Sequence, residues 1–408
     1  MPIKEIFSMS PTPTITAPKR YYRIAIGVFF FLQGFTFASW AARIPDFKAF
    51  FALSEGQLGT LLWAFPLGQL LCVPLAGYLV ELFTSRRMLL CAACLYPFTL
   101  ALLGFIPFIL SSTGNSYDGV WIFAAVLFFL GIVANLHNLS VNTQAVGVEK
   151  MYGRSIMATF HGLWSLAGFV AGMVGSLMAA HHIVPFYHYL GIFAFGLLVV
   201  IFLHRYTLRQ DEVRTEQQEK PTFNIFKGMD AFVYLMGFIA LGSMLCEGVM
   251  YDWSAVYYKE YLFFDDTRIR FGYTACMLAM ASCRFLADFI VNRFGAVMVV
   301  RLSGILTALG FLLMVLCHSL VWVTVGAALV GAGVSSVVPV CYGAIGRHPG
   351  VVPGRAINAV STIGFTGFAV SPPLIGYLAE WIGLRWVFVC VAVLAVLIAS
   401  LAGRLKEE

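Results

Sequence analysis

Apolar runs of about twenty residues recur from one end of the chain to the other, and the polar residues cluster between them. Twelve runs stand out, at 22–42, 57–80, 88–110, 119–145, 155–180, 185–206, 230–258, 271–291, 296–316, 320–345, 355–379 and 384–403. As helices they are long enough to cross roughly 30 Å of hydrocarbon. None alternates apolar and polar at every second residue, as the strands of a membrane barrel do. The pattern predicts an all-α polytopic membrane protein with twelve transmembrane helices in two pseudo-symmetric six-helix bundles.

The division into halves comes from one polar, charge-mixed segment, Thr207–Gly228. The expected organisation is a cytoplasmic tail over 1–20, a first bundle over 21–206, a linker over 207–228 and a second bundle over 229–404. The halves echo each other: Ala-Ser-Trp40-Ala-Ala in the first run answers Tyr-Asp-Trp253-Ser-Ala in the seventh. Pro74-Leu-Ala-Gly-Tyr-Leu-Val-Glu81 near the end of the second recurs as Pro373-Leu-Ile-Gly-Tyr-Leu-Ala-Glu380 near the end of the eleventh. Gly153-Arg154 opens the fifth run as Gly354-Arg355 opens the eleventh. Three-helix units repeated four times would produce these echoes, and secondary transporters built from repeats bind substrate near the midplane between their halves.

Composition confirms the membrane class. Hydrophobic residues make up 60% of the chain and charged residues 11%, against roughly 45–50% and about 25% in soluble domains. Met1–Pro18 carries scattered Pro and Thr with no apolar centre and reads as a retained tail, not a secretory signal. With the N-terminus inside, only Arg43, Lys48, Lys259, Arg268, Arg270 and Arg385 of the 26 Lys and Arg fall outside, and Arg284 falls within a span. That asymmetry places both termini in the cytoplasm. The net charge of +6 then concerns topology and anionic lipid, with no call for a nucleic-acid partner. Cys91 and Cys94 form a CxxC on an apolar helix without further Cys or His nearby, which reads as packing; no metal site and no cofactor is expected. The chain lacks a GxxxxGK[ST] phosphate loop, HExxH, GxSxG and a row of span arginines, which argues against an ATP-driven pump, a hydrolase and a voltage sensor.

The two six-span halves, the central polar loop and the charged turns after spans two and eight resemble the major facilitator superfamily. Its turn signature is roughly G-x-x-x-D-R-x-G-R-R. Here Gly77, Glu81 and Arg86 match after span two, while Leu82 and Thr84 stand where Arg and Gly are usual; Asn292, Arg293 and Gly295 match after span eight, with Asp288 in place of the Gly. The segments 39–48, 246–254 and 153–168 are similar to a branch of bacterial inner-membrane facilitators distantly related to fucose permeases. The resemblance covers 20–404 and implies a secondary active transporter of the inner membrane, commonly a monomer, moving a small-molecule solute with a proton or sodium ion.

Candidate chemistry starts at Glu247, a carboxylate inside the apolar stretch Val233–Val256. Such a charge is expensive in hydrocarbon and is normally turned toward a cavity or a partner. Ser243, Glu247, Tyr251, Ser254 and Tyr258 recur every three or four residues and form one polar helical face. Glu247 is read as a proton or substrate handler, with a structural buried acid as the plainer reading. Asp252 and His161 complete the expected proton-coupling set. Asp252 pairs with Arg43 in this reading or meets water; His161 is a relay or a helix-bonding residue.

Span four offers Asn135, Asn138 and Asn142 within one face, amides suited either to a hydroxyl-rich ligand or to binding a neighbouring helix. Trp40, Arg43, Asn135, Asn138, Asn142, His161, Tyr251, Trp253, Asn358 and Thr362 form the expected substrate-binding set. Arg284 and Asp288, one turn apart, and Glu81 with Arg86 are expected at the inner gate. A polar, sugar-like solute is favoured; efflux of amphipathic drugs or metabolites is the alternative, and a non-transporting membrane sensor or scaffold the alternative of another class.

Overall fold

The computed structural model describes residues 17–113, 117–152, 156–209, 229–348 and 353–405. Hydrocarbon supplies no hydrogen-bond partners, so each crossing segment must satisfy its own backbone, and the described chain is helical almost throughout. The first half holds α1 (Lys19–Ala41), a short α2 (Ile44–Phe51), α3 (Glu55–Phe83), α4 (Ser85–Thr113), α5 (Tyr117–Tyr152), α6 (Met157–Ala180) and α7 (Pro185–Leu203). The second holds α8 (Ala231–Glu260), α9 (Phe271–Phe294), α10 (Ala296–Leu316), α11 (Leu320–Val334), α12 (Val337–Arg347), α13 (Pro353–Ile382) and α14 (Leu384–Leu401). Eleven spans are long and apolar by themselves among the described residues, and the shorter apolar part of α9, Phe271–Ala287, makes the twelfth crossing.

The expected tenth run is broken. At Ser335–Ser336 it divides into α11 and α12, where Ser335 Oγ turns back to donate to the Ala332 carbonyl at 2.7 Å. The helix α2 was not anticipated. It carries Pro45 in its first turn and ends where Ala52 takes φ 51, and Ser54 then caps α3 in a reciprocal box with Gln57. Two turns show the internal repeat in their backbone: Thr84 between α3 and α4 has φ 76, and Gly295 between α9 and α10 has φ 78. Glycine meets that left-handed value without strain, whereas Thr84 adopts it against its Cβ.

Packing follows the same pseudo-two-fold. In the first half α1 lies on α6, α3 on α5, and α4 on α5 and α7; in the second, α8 lies on α13, α9 on α11, and α10 on α11 and α14. The helices meet at backbone contact where glycines face carbonyls. A Cβ added at Gly68 would sit 2.1 Å from Phe128 O, and at Gly331 2.1 Å from Cys276 O. Between the halves, α3 packs on α13 and α6 on α9.

Candidate functional site

A cavity of about 160 Å³ lies between the two bundles. Gln33 and Phe37 reach it from α1, Phe65 and Gln69 from α3, and Trp164 from α6. The second half supplies Glu247 and Tyr251 from α8 and Phe365 and Phe368 from α13. Tyr96 also lines the space, so aromatic faces make most of the wall, and its polar side chains are two amides, a carboxylate, two phenols and the Trp164 indole. At roughly 10–15 Å³ of such volume per water, the space holds a small solute with some hydration.

Glu247 sits with its side chain 13% exposed. Tyr251, one helical turn on, donates its hydroxyl to Glu247 Oε1 at 2.5 Å. Arg284 of α9 reaches the same oxygen with Nη2 at 3.4 Å and donates from Nη1 to Ser165 Oγ of α6 at 3.0 Å. Among the described residues, Arg284 thus forms a tie that joins the carboxylate of α8 to the other half. The side chains of Asp288, Glu81 and Asn358 lie outside the described residues.

Asp252 lies off the central cavity. It lines a second space of about 10 Å³, near the volume of one water, with Trp40, Phe65, Pro66, Phe368 and Pro372 around it. Arg43 is not its partner. Arg43 is 2% exposed and donates to Asp46 Oδ2 at 3.3 Å, to the Ile183 carbonyl at 2.9 Å and to His188 Nδ1 at 3.5 Å. It belongs to a cluster that closes the side opposite the termini, the far side, and not to the cavity wall.

That closure is built by α2. Its Ile44, Phe47 and Phe51 are buried in the first half, with Phe47 4.8 Å from the Phe123 ring and 5.4 Å from Trp40. Its charged residues cross to the second half. Asp46 accepts from Arg270 Nη2 at 2.9 Å, and Lys48 pairs with Glu260 at the end of α8. Arg270 is fully buried and also donates to the carbonyls of Ala42 and Asp266, both at 2.6 Å. Beside it, α3 and α13 touch through glycine: a Cβ on Gly59 would lie 2.4 Å from Pro372 O. Thr60 and Tyr377 share a hydroxyl hydrogen bond of 2.9 Å at the same level.

The remaining expected residues divide between the cavity region and the bundle interiors. Asn138 and Asn142 form an amide chain with Gln33 on the termini side of the cavity, while Asn135 is half-buried on the same helix. His161 is exposed and packs edge-on against Phe30 at 5.4 Å. Trp40 stacks on Phe47, and Trp253 is wholly buried in the second half. Thr362 passes its carbonyl to Thr366 Oγ1, and Arg86 donates to the His204 carbonyl at the end of α7. Gln33 and Gln69 went unnoticed in the sequence, although each is an amide set alone among apolar neighbours, in FFFLQGF and PLGQLL. Arg270 and Asp46 gave no comparable signal, since both read as loop charges.

Comparison with known proteins agrees with this architecture. The chain is 32% identical over 93% of its length to the uncharacterized transporter y4wD of Sinorhizobium fredii, covering 96% of that protein. It is 31% identical over 91% of its length to an uncharacterized MFS-type transporter of Yersinia pestis, covering 93% of it. It is also 28% identical to membrane protein MosC of Rhizobium meliloti, over 92% of this chain and 88% of that one. Among solved structures, a D-xylose-proton symporter superposes with a TM-score of 0.72 at 14% identity, over 95% of this chain and 98% of the other. The nucleoside transporter NupG superposes with 0.68 at 15% identity, over 95% and 100%. These last two likenesses establish the fold. The family model described as Major Facilitator Superfamily matches residues 24–263 and 231–407, and with two bundles of six crossings around a central cavity, the chain belongs to that family.

Proposed function

We propose that the protein is a secondary active transporter that carries a small polar solute through a bacterial inner membrane by alternating access, coupled to a proton. The observation that carries this reading is Glu247: a carboxylate on the wall of the cavity between the halves, tied through Arg284 to Ser165 of the opposite half. A carboxyl's proton affinity depends on its water and its charged neighbours. Rearranging the halves changes both for Glu247, and a coupled ion drives a cycle only through such a difference between states. Asp252 and His161 are the further proton-bearing groups of this scheme.

Both termini are cytoplasmic in this proposal, and the protein works as a monomer. The far side, sealed by α2, Arg270 and the Gly59–Gly376 contact, is then the periplasmic gate. Two amides on an aromatic wall suit a hydroxylated solute, whose apolar faces stack on rings while its hydroxyls bond to the amides. That the related fold serves a D-xylose-proton symporter and a nucleoside transporter supports the solute class. The ring-rich wall of Phe37, Phe65, Trp164, Phe365 and Phe368 favours a second reading, export of amphipathic compounds. Competition separates the two, since sugars protect the site in one case and lipophilic cations in the other.

Glu247→Gln tests the coupling. In proteoliposomes it should abolish uptake driven by a pH gradient while leaving the folded protein intact by size-exclusion chromatography and thermal unfolding. Full gradient-driven uptake in the variant would remove the proton role from this residue.

A further inference from the structure

The amide chain at the cavity settles which way one glutamine faces. Asn142 Nδ2 lies 2.8 Å from the main-chain carbonyl of Asn138, and a carbonyl oxygen only accepts, so that atom of Asn142 is its NH₂. The same NH₂ lies 3.0 Å from Asn138 Oδ1, which must therefore be the amide oxygen. Gln33 approaches this oxygen at 3.2 Å, so the group it offers is Nε2. Each amide is oriented by the one before it, back to a backbone group that cannot flip.

The consequence falls on Gln33 Oε1. Gln33 is 8% exposed and lines the cavity, and its oxygen is buried without a hydrogen-bond partner among the described residues. Gln69 Oε1, on the neighbouring cavity helix α3, is in the same condition. A buried acceptor left unpaired is unfavourable, and a donor brought by a ligand relieves it. Sites of this kind discriminate strongly against an analogue that lacks the donor, because the acceptor then stays unpaired.

We propose that Gln33 is a specificity-determining residue that offers a fixed carbonyl acceptor to a hydroxyl of the solute, and that Asn138 and Asn142 are positioning residues that hold it in that orientation. The proposal rests on the transporter reading and deepens it, because it selects hydroxylated solutes over apolar ones. It also moves Asn138 and Asn142 from direct ligand contact to control of Gln33.

The test uses the full chain in proteoliposomes and in detergent. The probes are myo-inositol, D-xylose, D-glucose and uridine, each beside a deoxy analogue, together with a panel of lipophilic cations. Thermal stabilisation and counterflow give apparent affinities. Three variants separate contact from positioning. Gln33→Met keeps length without the acceptor, Asn138→Asp keeps an oxygen facing both amides, and Asn138→Leu removes it.

A hydroxylated probe that protects the wild type should bind about tenfold more weakly to Gln33→Met and Asn138→Leu, and within about threefold of wild type to Asn138→Asp. Its advantage over the deoxy analogue should shrink toward unity in Gln33→Met, an outcome that a merely structural role would not produce. An unchanged hydroxyl-over-deoxy ratio in Gln33→Met overturns the proposal, as does wild-type behaviour of Asn138→Leu. Lipophilic cations as the only ligands overturn it and leave transport standing. Absence of counterflow for every probe removes the transport reading and this proposal together.

Discussion

Gly59→Ala should loosen the far-side closure while sparing the fold of either bundle. Gly59 of α3 faces α13, and an added Cβ would meet Pro372 O at 2.4 Å and Gly376 Cα at 3.1 Å. Both obstacles are backbone, so no side-chain rotation relieves them, and the two helices must part by roughly 1 Å to regain ordinary contact. Overpacking of this kind costs about 1–3 kcal/mol. Only the state that brings α3 against α13 bears the cost, so the ratio of open to closed far side should rise by about 5- to 150-fold. Gly68→Ala is the control. Its Cβ would strike Phe128 O at 2.1 Å inside the first bundle, which lowers stability without favouring either state. Spin labels on cysteines at Ala49 and Phe263, one on each half of the far side, would report the change in a background with the native cysteines replaced. A longer-distance population should appear in Gly59→Ala and stay absent in Gly68→Ala. An unchanged distribution in Gly59→Ala, or an equal shift in the control, would refute the assignment of this seam as a gate contact.

Asp46→Asn should act on the same equilibrium through charge. It leaves Arg43 and Arg270 buried without the carboxylate they share, a change costly in the closed state and discounted here because Asp46 is a quarter exposed. The same spin-label pair should show opening, and a wild-type distribution would remove Asp46 from the closure. At the termini side, Asp230 caps α8 and meets His348, whose hydrogen bond holds the Asp230 carboxyl below the usual carboxylate range. A lowered folded-state value stabilises above the unfolded pKa of about 3.9 and is lost as pH falls through the folded one. The melting-temperature gap between wild type and Asp230→Asn should therefore be present near neutral pH and close in strong acid. A gap independent of pH would assign the effect to capping alone.

The crossings were legible in the sequence because hydrocarbon imposes them one at a time. A segment of about twenty apolar residues must be helical and must cross, whatever its neighbours do. Glu247 was legible for the same reason, since a carboxylate within Val233–Val256 breaks that rule in a way one segment alone displays. The repeat, too, could be read from matched residues, and the shared φ of Thr84 and Gly295 bears it out in the backbone.

What each polar side chain touches belonged to the tertiary structure. Arg270 and Asp46 are 224 positions apart, Lys48 and Glu260 212, and Thr60 and Tyr377 317. Nothing within a single segment selects such partners. Arg284 of α9 reaches Glu247 on one helix and Ser165 on another, 37 and 119 positions away. Lipid is equally apolar on every side, so hydropathy puts a helix across the membrane without choosing its rotation or its neighbours. Close contacts at small residues make that choice, at Gly59, Gly68 and Gly331, and so bring Gln33, Gln69 and Glu247 to one cavity while leaving Arg43 in the far-side closure.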